Sequence, residues 1–123
     1  MNQCQIMGRL TGDPELRRTQ NGIPVVRFTL AVERRFQRET VDFIDVVAWR
    51  NTAEFCSKYF SKGMRVAVSG SIQARTYEDK DGNKRKVFEV VADAVYFADG
   101  KREAQDSYKA DTDMMPVYED MPF

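Results

Sequence analysis

One stretch of this chain, residues 51–62, sets its apolar residues at helical spacing, while the runs on either side alternate with a period of two. Phe55 stands four residues before Tyr59 and Cys56 four before Phe60, so each pair shares one helix face. Asn51 or Thr52 suits the start as a cap, and Gly63 stands where a helix C-cap glycine belongs. Upstream, Cys4, Ile6, Gly8 and Leu10 alternate with Gln5, Met7 and Arg9. Val26, Phe28, Leu30 and Val32 then alternate with Arg27, Thr29 and Glu33, and residues 42–50 form a third run. Downstream, Met64 to Arg75 forms a fourth, with Val66, Val68, Ile72 and Ala74 on one face, and Lys86 to Phe97 a fifth. Gly12-Asp13-Pro14, Asn21-Gly22 and Asp81-Gly82-Asn83 supply the turns. One helix between the third and fourth of five strands predicts an all-β chain, a five-stranded OB-fold barrel. An SH3-like barrel would lack a full helix at that point.

The length of 123 residues, 42% of them hydrophobic, allows one domain with a modest core. No apolar run reaches the length of a membrane span. The start, Met1-Asn2-Gln3-Cys4-Gln5, lacks the basic-then-apolar order of a secretory signal, so a cytoplasmic protein is expected. Cys4 and Cys56 do not make a disulfide framework and read as small packing residues. Histidine is absent, which removes the commonest acid–base catalyst and metal ligand. No glycine loop leads into a helix to cradle a phosphate. A protein without catalytic site, metal or cofactor is the expectation.

Charge divides the chain. The whole is neutral, which argues against a nucleic-acid binder. Residues 1–100, however, hold 16 basic against 13 acidic residues, and residues 101–123 hold 3 against 6. A mildly basic domain, 1–100, is therefore followed by an acidic, polar segment, 101–123, that reads as a short disordered and mobile tail. That tail ends in Glu119, Asp120, Met121, Pro122 and Phe123. An apolar ring, a terminal carboxylate and a proline that restricts the chain suit a peptide that docks into a pocket on a partner. A frayed end without a role is the alternative.

The strands carry a second signal. In the third run Ile44, Val46 and Ala48 suit a core, so Phe43, Asp45, Val47 and Trp49 lie on the opposite face. In the fourth, Arg65, Ser69, Ser71, Gln73 and Arg75 form the polar face, and Tyr77 continues that parity. Arg34, Phe36 and Arg38 share one side if the chain between runs stays extended. Rings interleaved with arginines suit single-stranded nucleic acid, because every base has a π-face and arginine reaches phosphates. Partial burial or a subunit interface is the competing use of each ring. An OB-fold interaction subunit, whose aromatics serve assembly instead of DNA, is the rival reading.

These residues, taken together, resemble the bacterial single-stranded DNA-binding protein family. The likeness runs through Ile6-Met7-Gly8-Arg9-Leu10-Thr11-Gly12-Asp13-Pro14-Glu15-Leu16-Arg17, Asn21-Gly22 and Phe28-Thr29-Leu30-Ala31-Val32. It continues through Asp42-Phe43-Ile44-Asp45-Val46-Val47-Ala48-Trp49-Arg50, Ala53-Glu54, Lys62-Gly63, Arg75-Thr76-Tyr77 and the terminal Asp-Met-Pro-Phe. The resemblance implies an OB-fold that assembles as a homotetramer and wraps single-stranded DNA without sequence preference, in replication, recombination and repair at the nucleoid. It also implies recruitment of replication and repair proteins through the tip. The base-stacking positions fall on Phe36, Phe43, Trp49 and Tyr77. The basic contacts fall on Arg17, Arg34, Arg50, Lys62 and Arg75. Two departures are physical: the link from Phe36 to Val41 is short, and the tail is shorter than in many relatives.

Overall fold

The computed structural model describes residues 1–37 and 39–99. Arg38, Gly100 and the 101–123 segment, with the tip expected to dock on a partner, lie outside the described residues. The elements are β1 (Cys4–Leu10), β2 (Glu15–Arg18), β3 (Pro24–Glu33), β4 (Val41–Trp49), α1 (Arg50–Tyr59), β5 (Arg65–Glu78) and β6 (Lys84–Phe97). Five of the strands close on themselves in the order β1, β3, β4, β6, β5 and back to β1. β4 and β6 run parallel, through Val46 opposite Val90 and Val47 opposite Val91; the other neighbours are antiparallel. Closure rests on Arg9 and Leu10 of β1 meeting Ala31 and Leu30 of β3. This is the expected OB-fold barrel with its helix between the third and fourth barrel strands. A sixth strand, β2, is added outside the barrel on β3. Its four residues, Glu15-Leu16-Arg17-Arg18, are all exposed, so no burial alternation marks it in the sequence.

Alternation produces the core. Val26, Phe28 and Leu30 of β3, Val46 and Ala48 of β4, Val66 and Val68 of β5, and Val90, Ala92 and Val95 of β6 all point inward and are buried. Each such Val or Leu contributes about 1.5–3 kcal/mol. The helix closes one end of the barrel. Ala53 and Cys56 are fully buried, and Phe60 meets Phe28 edge-on at 6.1 Å and Phe97 at 5.7 Å. Burial pushes the Cys56 thiol up to about 12, so it packs as a neutral side chain. Gly8 is required where the barrel closes: a Cβ there would stand 2.5 Å from the Ala31 carbonyl oxygen.

The helix ends differ from expectation. Trp49, still extended, is the N-cap residue and makes no side-chain cap bond. Arg50 takes a positive φ of 54°, turning strand directly into helix, so Asn51 and Thr52 already lie inside the first turn. At the other end Phe60 donates its N–H to the Cys56 carbonyl at 2.9 Å. Gly63 lies three residues further on, with φ 86°, and donates to the Leu10 carbonyl. It serves the turn into β5 and does not cap the helix.

The pair β5–β6 outruns the barrel. Ile72 and Ala74 share the inward parity of Val66 and Val68, yet Ile72 is 45% exposed, because among the described residues no other strand lies beneath that part of the hairpin. Phe88 on β6 is exposed for the same reason.

Candidate nucleic-acid interface

Strand register assembles the outward residues into rows. Arg17 of β2 stands opposite Val25 of β3, which stands opposite Trp49 of β4. The next row holds Glu15, Arg27, Val47 and, across the parallel pairing, Val91. Thr29 and Asp45 follow, with Thr29 Oγ1 donating to Asp45 at 2.9 Å, and then Ala31 and Phe43. On the hairpin, Gln73 faces Glu89, Arg75 faces Val87, and Tyr77 faces Arg85. One outer surface therefore runs from Arg17 and Trp49 at one corner to Phe43 on β4 and Tyr77 on the hairpin.

The rings on this surface are open to solvent. Phe43 is 68%, Tyr77 43% and Trp49 39% exposed, and Phe36, in the loop between β3 and β4, is 89% exposed. Rings so exposed do little for the fold, and each offers a face to a ligand. Arg75 carries its guanidinium 6.0 Å from the centroid of Tyr77, and Arg35 stands 5.5 Å from that of Phe36. Such cation–π pairs leave the far side of the ring open to a base.

The five expected basic residues divide by what holds them. Arg17 is three-quarters exposed beside Glu15. Arg75 pairs with Glu89 at 3.4 Å. Arg50 is exposed and directly follows Trp49. Arg34 is committed to the loop: its Nε and Nη2 grip the two oxygens of Asp42 at 2.9 and 3.0 Å, and its Nη1 reaches Gln37. The hydrogen-bonded guanidinium holds the Asp42 carboxyl below the usual carboxylate range, and Asp42 in turn raises Arg34. Lys62 stands beyond the helix, with its backbone N–H on Asp13, and no strand register ties it to the sheet face.

The family model described as Single-strand binding protein family matches residues 1–98, four-fifths of the chain and the whole barrel. The chain belongs to this family. It is similar to a Single-stranded DNA-binding protein of Caldanaerobacter subterraneus subsp. tengcongensis, 41% identical over 99% of this chain and 88% of that protein. It also resembles Single-stranded DNA-binding protein 3 of Clostridium acetobutylicum, at 50% identity over 79% of this chain and 70% of the relative. Single-stranded DNA-binding protein 1 of Staphylococcus aureus is 46% identical over 82% of this chain and 67% of its own length.

Two residues on this face of the single-strand binding fold escaped the sequence reading. Glu89 is nine-tenths buried although it points outward, and Arg27 reaches it at 2.8 Å. Since β4 lies between β3 and β6, that ion pair crosses over β4, which accounts for Val47 being only 2% exposed on the outer face. A single acidic residue in the run Val87-Phe88-Glu89-Val90-Val91 was the available signal. Among the described residues no group of His, Cys, Asp and Glu is arranged to hold a metal, and no helix is long and apolar enough to cross a membrane.

Proposed function

We propose that this protein binds single-stranded DNA without sequence preference and without catalysis, protecting it during replication, recombination and repair at the nucleoid. The observation that carries this reading is the one outer surface on which Phe43, Trp49 and Tyr77 stand exposed among arginines. Stacking is worth about 1–3 kcal/mol per base and does not discriminate among bases. Phe36, Phe43, Trp49 and Tyr77 stack bases, while Arg17, Arg50 and Arg75 meet phosphates; Arg34 holds the loop that presents Phe36. Trp49 is the only tryptophan, so its fluorescence reports the event. Poly(dT) should quench it, less so as salt rises, and duplex of the same length should quench it far more weakly. Equal affinity for both, or no quenching, returns the rings to an assembly role.

The working form in this reading is a homotetramer. β3 meets only Arg9 and Leu10 of β1, so among the described residues Cys4–Gly8 has a strand neighbour on one side only, and Met7, Ile72 and Phe88 are exposed. Those features favour self-association. Sedimentation at a stable monomer mass would overturn it. The tip Glu119, Asp120, Met121, Pro122 and Phe123 recruits replication and repair proteins, with the ring docking and the acids adding a salt-sensitive contribution. Deleting Pro122 and Phe123 should abolish capture of those partners and leave poly(dT) affinity intact. Capture unchanged by the deletion would make the tip inert.

A further inference from the structure

We infer that Glu89 is a positioning residue of the DNA-binding face: it draws Arg27 and Arg75 together from opposite flanks, fixes their guanidinium planes and cancels half of their joint charge. The inference rests on the DNA-binding reading above and deepens it. The side chain of Glu89 is 10% exposed and accepts from Nη1 of Arg27 at 2.8 Å on one oxygen, with Nε of Arg75 at 3.4 Å from the other. Arg27 comes from β3 and Arg75 from β5, the two strands that flank β4 and β6 on the closed sheet. Their side chains meet over the middle of the surface that carries Trp49 at one corner and Tyr77 on the hairpin.

A buried carboxylate is costly without partners, so the two arginines are held there whether or not DNA is present. The ordering that two long side chains would otherwise undergo on binding is completed during folding. Both arginine side chains remain about half exposed and retain nitrogens not bonded to Glu89, Nη2 on Arg27 and both Nη on Arg75. The guanidinium of Arg75 also lies 6.0 Å from the centroid of the Tyr77 ring. The cluster thus carries a net charge of one, not two. It offers fixed hydrogen bonds and a flat cation beside a stacked base, and releases fewer counterions than two unpaired arginines would.

The salt dependence of binding separates this from a purely structural role. The full chain and its Glu89→Gln and Glu89→Asp variants are titrated with poly(dT) across a tenfold range of NaCl, following Trp49 fluorescence, with thermal unfolding measured alongside. Glu89→Gln restores one charge to the face, so its plot of log affinity against log salt should steepen by about 0.7, an extra loss of about fivefold over the range. Its affinity should match or exceed the parent's at the lowest salt and fall below it at the highest, so the two curves cross. Glu89→Asp keeps the charge but is one methylene too short to reach both arginines; it should keep the parent's slope and bind more weakly throughout. A folded Glu89→Gln variant with the parent's slope overturns the inference. If Glu89→Gln does not fold, a Glu89→Asp variant indistinguishable from the parent at every salt overturns it equally. Failure of the parent itself to bind poly(dT) removes the DNA-binding reading, and this inference with it. Binding by the parent with an unchanged slope in Glu89→Gln removes only the role of Glu89.

Discussion

The two halves of the β5–β6 pair are made of the same antiparallel register but held by different forces. From Arg65 to Gly70, β5 alternates between exposed or half-buried residues and buried ones, with Val66 and Val68 essentially inaccessible. From Ile72 to Glu78 every residue is exposed on both faces. The junction is marked by Gly70, where a Cβ would strike the Val91 backbone and the register shifts by one residue. Beyond it the hairpin is held by its ladder, by the Arg75–Glu89 pair and by a turn at Asp79, which accepts N–H bonds from Asp81 and Asn83 and pairs with Arg85. Barrel strands supply stability, and strands that leave the barrel supply surface on which a long, thin ligand can lie. Trp49 stands on the first kind of support and Tyr77 on the second.

The comparison is tested most strongly by removing both rings. Trp49→Ala with Tyr77→Ala should lose about 2–6 kcal/mol of single-stranded DNA affinity if each ring stacks one base independently. Tyr77→Ala alone should leave the unfolding midpoint in place, since nothing in the core rests on it. Isothermal titration with an oligo(dT) and a thermal melt check both statements, and a folded double variant with the parent's affinity would take these rings out of the interface.

A smaller effect contrasts two positions on one face of one strand. Val68→Ala, inside the barrel, should cost about 2 kcal/mol of stability, from two lost methyl groups and the space they leave. Ile72→Ala, four residues on and outside the barrel, should cost less than about 1 kcal/mol in the isolated subunit. Denaturant midpoints give the difference directly; equal losses would mean that the hairpin face is covered.

The smallest effect is the response of the hairpin tip to acid. The side-chain bond from Arg85, reinforced by the Asn83 and Asp81 amides, holds the Asp79 carboxyl below the ordinary carboxylate range. A lowered folded value means that its contribution is complete above the unfolded value, near 3.9, and is lost as pH falls through the folded one. Amide exchange at Gly82 and Asn83 should therefore accelerate in that acid window, ahead of the barrel amides. Asp79→Ala should show fast exchange at the tip already at neutral pH, with no further acid step.

Much of this architecture is legible in the residue pattern. Alternation in Val26–Val32, Ile44–Ala48 and Val66–Val68 specifies which face of each strand is buried, because side chains of a strand project with a period of two. The outward parity of Phe43, Trp49, Arg75 and Tyr77 follows from the same rule. Parity could not say how far a barrel extends along a strand, so Ile72 and Ala74 share a face with Val66 and Val68 although they lie on the exposed hairpin. Nor does β2 announce itself, since a four-residue strand exposed on both faces leaves no periodic trace.

What the sequence by itself determined is the order of the barrel strands and the helix, the inward and outward residues of those strands, and the interleaving of rings with arginines. Those are local properties, carried by neighbours two to four residues apart. Only the tertiary structure decided which charges meet. Arg27 and Glu89 are 62 residues apart and come together over a third strand, Arg75 joins them from a fourth, and Arg34, which reads like another DNA contact, is bound to Asp42. Charge pairing depends on strand register and barrel closure, and a period of two along one strand contains no information about its neighbour across the sheet.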